Sequence, residues 1–329
     1  MRILFFLILF PLLLFARKGT IEETPAEEEE ILPWFTGPIL APATNVVGEG
    51  AYNIEPYFFA TKNPSIYDND WHADEIPEQW SLQLQTPVWV GLTDWCDVSI
   101  SPTLFWNHKA VGGGNWAQGD LVANIHFQIW HQDWSDASLP SVKIGLSETV
   151  PTGKYRNLNP KKFTTDLGGS GSWVTGAELV VGQVVHIYRY QFLSWRLAGR
   201  CSFFNSTVHV KGYDAYGGGL GANGKIHPGI NGGIDFAIEY SVSRNWAFAL
   251  DIAGYWQSKS KFHGKGGTNF LSGTPTVVAR SSAILYTLAP GVEYNWNENL
   301  GIITGVWFTV AGKNISKFYS YVFAVNWYK

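Results

Sequence analysis

The stretch Trp246–Gln257 reads WAFALDIAGYWQ, with Trp246, Phe248, Leu250, Ile252 and Trp256 on one parity and Asp251, Tyr255 and Gln257 on the other. A period of two is the mark of a strand whose faces meet different surroundings. The same alternation recurs in Trp80–Val90 and Asp120–Trp130. In the last stretch, Tyr319, Tyr321, Phe323, Val325 and Trp327 share one face. A soluble sandwich with this period would turn a charged face to water. Here one face carries aromatics at its ends, and the other carries Ser, Asn, Gln, Asp and Glu. No repeat of propeller-blade length is present.

Twelve such segments are predicted, at 51–60, 79–91, 95–106, 119–130, 140–150, 172–183, 193–207, 229–242, 245–258, 278–294, 300–311 and 317–328. Most reach the roughly 9–11 residues a tilted strand needs to cross a bilayer. Long and short links take turns between them. The long ones are 61–78, 107–118, 151–171, 208–228 and 259–277, and the short ones lie near 92–94, 131–139, 184–192, 243–244 and 295–299. Outer-membrane barrels have this asymmetry, with short periplasmic turns and longer external loops. Trp80, Trp95, Trp130, Trp173, Trp246, Tyr294, Trp296 and Trp327 stand where interfacial girdles would lie.

Composition agrees. Charged residues are 15% of the 329-residue chain, against roughly 25% in soluble domains. Aromatics reach 16%, and mean hydropathy is only −0.04. A helical membrane protein would show long apolar runs instead. The fold expected is all-β, a closed antiparallel transmembrane barrel of about twelve strands over residues 49–329. The net charge of −4, with no long basic patch, argues against nucleic acid as a partner. Two cysteines, Cys96 and Cys201, are too few for a disulfide framework and read as structural thiols.

Arg2 precedes 13 apolar residues, Ile3–Phe15, and then Ala16. That length suits the core of a secretory signal and is short for a membrane helix. Residues 1–16 are expected to be a signal peptide. Residues 17–48, with Glu22, Glu23 and Glu27–Glu30, are expected to form an acidic periplasmic tail.

Residues 140–173 read PSVKIGLSETVPTGKYRNLNPKKFTTDLGGSGSW. This stretch resembles the bacterial outer-membrane family of transporters assigned to the MetA pathway of phenol degradation. The resemblance rests on Ile144-Gly145-Leu146, Pro151-Thr152-Gly153-Lys154-Tyr155, Gly169, Gly171 and Trp173, and on Asn53–Tyr57. It implies a twelve-stranded barrel related to channels for small apolar compounds. The C-terminus departs from the pattern, since barrels of this kind usually end on an aromatic and this chain ends Trp327-Tyr328-Lys329.

If the apolar face meets lipid, the opposite phase faces the lumen. That phase collects Glu55, Asp120, His126, Lys143, Glu178, Arg196, Arg200, Asp235, Glu239 and Asp251. Charges in hydrocarbon are costly, so these are expected inside, as a solute-selecting constriction or as a salt-bridge network filling the barrel. Arg196 and Arg200 are expected to meet Glu178, Asp235 or Glu239. Gly219–Lys225, GLGANGK, has P-loop spacing but is followed by Ile226 rather than Ser or Thr, and reads as an external loop. His126 and His131, five apart, point to opposite faces and make a poor metal pair. The sequence has no His-x-Ser-Asn-Gly run of the kind a barrel phospholipase would carry. Neither cofactor, metal nor catalytic residue is expected.

The expected function is passive uptake of small solutes, apolar or aromatic, across the outer membrane. The alternative is a structural or surface-interaction barrel without flux. The expected partners are outer-membrane lipid and a small-molecule solute. Protease added to intact cells should nick loops 61–78, 151–171 and 208–228 and spare Ser243–Arg244. The reverse pattern would invert the topology.

Overall fold

The computed structural model describes residues 33–132 and 139–329. Residues 1–16, expected to be a signal peptide, and the acidic run up to Glu30 lie outside the described residues.

Twelve antiparallel strands close into a barrel. The first four are each interrupted once. β1 (Tyr52–Ile54) continues as β2 (Tyr57–Tyr67), and β3 (Ala73–Gln85) as β4 (Val88–Thr93). β5 (Cys96–Ser101) continues as β6 (Thr103–Lys109), and β7 (Gly113–Gln118) as β8 (Leu121–Trp130). The other eight are β9 (Ser141–Val150), β10 (Val174–Tyr188), β11 (Gln191–Phe204), β14 (Asn231–Ser241), β15 (Trp246–Gln257), β17 (Ala283–Asn297), β18 (Leu300–Lys313) and β19 (Ser316–Tyr328). A separate sheet is made of β12 (Val208–Asp214), β13 (Gly217–His227) and β16 (Lys261–Lys265).

Closure comes from β19, which pairs with β18 on one side and with both halves of the first strand on the other. Trp327 stands opposite Ile54, and Phe323 opposite Phe58. Without water to serve them, backbone groups in the bilayer need a partner on every strand, and closure removes the two free edges. The sequence alternation sorts the faces. Along β15, Trp246, Phe248, Leu250 and Ile252 are exposed, while Ala247, Ala249, Asp251 and Ala253 are buried. The expected girdle residues Trp80, Trp95, Trp130, Trp173, Trp246, Trp296 and Trp327 are exposed too. This is the architecture of a bacterial outer-membrane protein.

The interruptions fall on neighbouring positions of the sheet. Pro56, Pro87 and Pro102 lack an N–H to donate to the ladder. The gap is bridged by Glu55 N donating to Pro87 O, Thr86 N to Pro102 O and Gly119 N to Thr103 O.

Several expected long links are shorter than the spacing suggested. The link expected at 61–78 shrinks to residues between β2 and β3, and 107–118 to the tip between β6 and β7. Links 208–228 and 259–277 supply β12, β13 and β16, which pair with one another away from the barrel wall. Polar alternation weakens outside the lipid band, but the backbone still needs partners there, so strands run on. Gly219–Lys225 lies in β13, an antiparallel strand rather than a loop. Cys96 and Cys201 are both free; Cys96 is buried, whereas Cys201 is exposed.

Val208, Val210, Ala215, Tyr216, Ala222, Ile226 and Val278 form the core of the external sheet. Asp214 is buried beside it and accepts a hydrogen bond from Tyr216 N at 2.8 Å. Burial pushes the Asp214 carboxyl up from its ordinary 3.8 to about 6. A raised acid favours the folded state while protonated, so stability is lost as pH rises from about 4 to about 6. Proteolysis within 208–227 should therefore be slower at pH 4 than at pH 7. The substitution Asp214→Asn should flatten that dependence, and an unchanged pH profile would show that Asp214 does not titrate there.

Candidate functional site

The inward phase of the barrel is polar, and it is not empty. Residues 33–48, expected to belong to a periplasmic tail, run inside the barrel at its short-turn end. Pro33, Pro38 and Pro42 keep this stretch from forming a helix or a strand. Most of its side chains are apolar, and Ile39, Ala41 and Val47 are buried. Its backbone N–H groups then need acceptors that no sheet supplies.

The acceptors are lumen carboxylates. Glu293 Oε2 accepts from Thr36 N at 2.7 Å and from Gly37 N at 3.3 Å. Asp251 accepts from Ile39 N at 2.9 Å, Leu40 N at 3.3 Å and Ala41 N at 2.9 Å. Asp97 Oδ2 accepts from Val47 N at 2.8 Å, and Gln128 Oε1 from Val46 N at 2.8 Å. Bonds to an ionised carboxylate are roughly twice as strong as neutral ones such as that to the Gln128 amide. Ile39 also fits a socket of Ala249, Ala289, Ile303, Val322 and Ala324. Gly291 and Gly305 open that socket, because a Cβ on either would meet Ile39 Cδ1. The segment touches strands all round the barrel and lies across its interior.

A second insertion comes from the long-loop end. Asp120 sits at the break between β7 and β8. It accepts from Gly153 N at 2.9 Å, Ser170 N at 2.7 Å and Ser170 Oγ at 2.9 Å. This draws together both ends of loop 151–173. The middle of the loop lies against inward residues of β6 and β7. Asn107 Nδ2 donates to Thr165 O and Leu167 O, Asn115 Nδ2 to Thr165 Oγ1, and Lys109 Nζ to Thr164 Oγ1. Lys154 pairs with Asp166 at 2.5 Å. The glycines of the family-like stretch have a physical task here. A Cβ on Gly168 would collide with Gln118 O, and one on Gly169 with the Asp120 carboxylate.

Two chambers remain. The outer, of about 960 Å³, is roofed by loop residues Thr164–Ser170 and by Tyr216. The inner, of about 610 Å³, is floored by residues of the 36–47 segment. Val122, Asn124, His126, Glu178, Arg200 and Tyr255 line both and form the waist between them.

The structure places the sequence-predicted residues as follows. His126, Glu178 and Arg200 stand at the waist, while Glu55, Lys143 and Arg196 line the inner chamber. Arg196 pairs with Glu239 at 2.8 Å and Arg200 with Asp235 at 3.2 Å, each partner being on the following strand. Asp235 and Glu239 are buried behind their arginines. Asp251 anchors the inserted segment. Asp120 lines neither chamber and holds the loop instead. Sequence reasoning missed Asp97, which bridges Val47 N and His126 Nδ1, the latter at 2.5 Å. It also missed Glu293, and both lie on the inward parity of their strands. The signal for the inserted segment was the shift from the acidic run to the apolar, proline-spaced PWFTGPILAPATNVV of residues 33–47.

Fold and interior together define a closed outer-membrane barrel whose lumen is narrowed from both ends. No family model and no curated protein matches the chain. Among solved structures, an outer membrane channel from Pseudomonas putida F1 is similar over 87% of this chain and 98% of its own, at 14% identity and a TM-score of 0.64. The β domain of the Bordetella autotransporter BrkA is similar over 85% and 99%, at 10% identity and a TM-score of 0.43. A TodX monoaromatic hydrocarbon channel mutant is similar over 85% and 90%, at 12% identity and a TM-score of 0.40. The first of these shares the fold seen here.

Replacing Asp120 with Ala would strand three donors. At about 1–3 kcal/mol for a hydrogen bond lost to a charged acceptor, loop 151–173 should detach while the barrel persists. Protease should then cut that loop much faster than in the parent, with heat-resistant electrophoretic mobility unchanged. Equal cutting rates would deny Asp120 this role.

Proposed function

We infer that the protein is an outer-membrane channel for passive uptake of small solutes, held closed by its own residues 33–48. The observation that carries this reading is the pair of chambers joined at a shared waist inside a closed barrel. A barrel that serves only as a scaffold gains nothing from leaving such volumes, because filling them with side chains adds packing energy. The likeness in fold to the Pseudomonas putida channel supports the same reading. The assignment involves no catalytic step.

On this reading the short-turn end is periplasmic, and the segment enters from that side. It is held by side-chain acceptors and one apolar socket rather than by strand pairing, so it can leave without unfolding the wall. The Ile39 socket and the carboxylate contacts set the closed state. The outer loop stays in place and sets the size of what reaches the waist.

In planar bilayers the full chain should show low, intermittent conductance, and deletion of residues 33–48 should raise it several-fold. The milder Asp251→Asn removes charge from three N–H contacts at about 1.5 kcal/mol or more for such bonds, so open time should rise roughly tenfold. Conductance at background in all three proteins would favour the structural reading of the barrel instead.

A further inference from the structure

Charge in the lumen is unevenly satisfied. The lumen acids other than Glu178 are engaged by the protein itself. Asp97 holds Val47 N and His126, Asp251 and Glu293 hold the inserted backbone, and Glu55 accepts from Asn326 Nδ2 at 3.4 Å. Glu239 and Asp235 are tied to Arg196 and Arg200.

Several cations are not so engaged. Lys143 is only 3% exposed and lines the inner chamber; Glu178 and Asp97 attract it, yet among the described residues neither stands within ion-pair distance of it. Buried ammonium groups are ordinarily paired, and one that faces a chamber with no acid at ion-pair distance has room for an anion beside it. At the waist, Arg200 uses one guanidinium nitrogen on Asp235, and its buried Nε has no partner. In the outer chamber, Arg280 donates to the carbonyl of Ala215, and Lys109 to the hydroxyl of Thr164. Neither has an ion-pair partner among the described residues. The cations thus succeed one another inward, from the outer chamber through the waist to the inner chamber. Glu178, opposite Arg200 in register, is the one acid at the waist.

We propose that the lumen carries a binding site for small organic anions, carboxylates above all, with Lys143 as its principal charge and Arg200 as the group that passes the anion to it. This deepens the channel reading and rests on it for its role in transport. The outer chamber presents Phe105, Tyr216 and Tyr255 alongside its polar groups, which suits an aromatic body behind the carboxylate. A wholly apolar solute would leave the Lys143 ammonium unpaired, whereas a carboxylate satisfies it. The same charges disfavour organic cations.

The test is titration calorimetry with benzoate, benzyl alcohol and benzylammonium on the detergent-solubilised full chain at low ionic strength, where such charge effects are least screened. Benzoate should bind at least roughly tenfold more tightly than benzyl alcohol, the difference expected of one charge-assisted contact. The variant Lys143→Met should abolish that preference, and Lys143→Arg should keep it. Heat-modifiable mobility on gels checks that each variant is folded; should Lys143→Met fail to fold, Lys109→Met with Arg280→Gln serves in its place and should weaken benzoate binding. Equal affinity for benzoate and benzyl alcohol, or tighter binding of benzylammonium, overturns the proposal. So does benzoate binding unaffected in the folded variants. Liposome swelling with a neutral sugar is read separately, on the protein lacking residues 33–48 as well as on the full chain. Swelling without benzoate preference overturns the anion site and leaves the channel standing, whereas benzoate binding without any flux retains the site and removes the channel.

Discussion

Every feature of this protein depends on satisfying backbone hydrogen bonds where water is absent. In hydrocarbon an unpaired N–H or C=O costs several kcal/mol, which leaves a closed sheet as the only way for strands to cross. Closure in turn sorts the side chains, since neighbours along a strand point to lipid and lumen by turns. A charge on the lipid side would cost about 2–4 kcal/mol at the midplane. Arg196, Arg200, Asp235, Glu239 and Asp251 are therefore inside because Trp195, Leu197, Phe248 and Leu250 are outside.

The same requirement recurs in the interior. Residues 33–48 lie in no sheet, so their N–H groups must find acceptors among side chains. Asp251 and Glu293 supply them, and this gives two lumen carboxylates a structural role that charge alone would not suggest. Loop 151–173 meets the demand through Asp120, which gathers both its ends. In both places a buried carboxylate stands in for a missing strand. Acids employed in this way cannot neutralise the lumen cations. The result is an interior in which most acids are held by the protein, Glu178 at the waist excepted, while Lys143, Lys109 and Arg280 face the space.

The breaks in the first four strands show the same economy of partners. Pro56, Pro87 and Pro102 each remove a donor, and the neighbouring backbone closes the gap. The wall remains continuous in hydrogen bonding there, although the regular ladder is not.

Parity along the sequence was enough to establish the barrel, the number of its strands and the phase of its charges. Lipid makes an error of one residue cost every side chain its environment, so Trp246, Phe248 and Leu250 can be assigned to a face from the string alone. The arginine partners were legible for the same reason: Asp235 and Glu239 share the inward parity of the next strand. What the sequence could not decide was which carboxylate serves which purpose. Asp120 and Asp251 have the same parity as Glu178, yet one holds a loop, one holds the inserted segment and one lines the waist. Those roles depend on where residues 33–48 and 151–173 fold back, contacts made across up to 290 positions of chain. Neither segment carries a period, because neither has two faces. Only the closed tertiary structure, by bringing unsatisfied backbone and inward carboxylates into one confined space, decides how they meet.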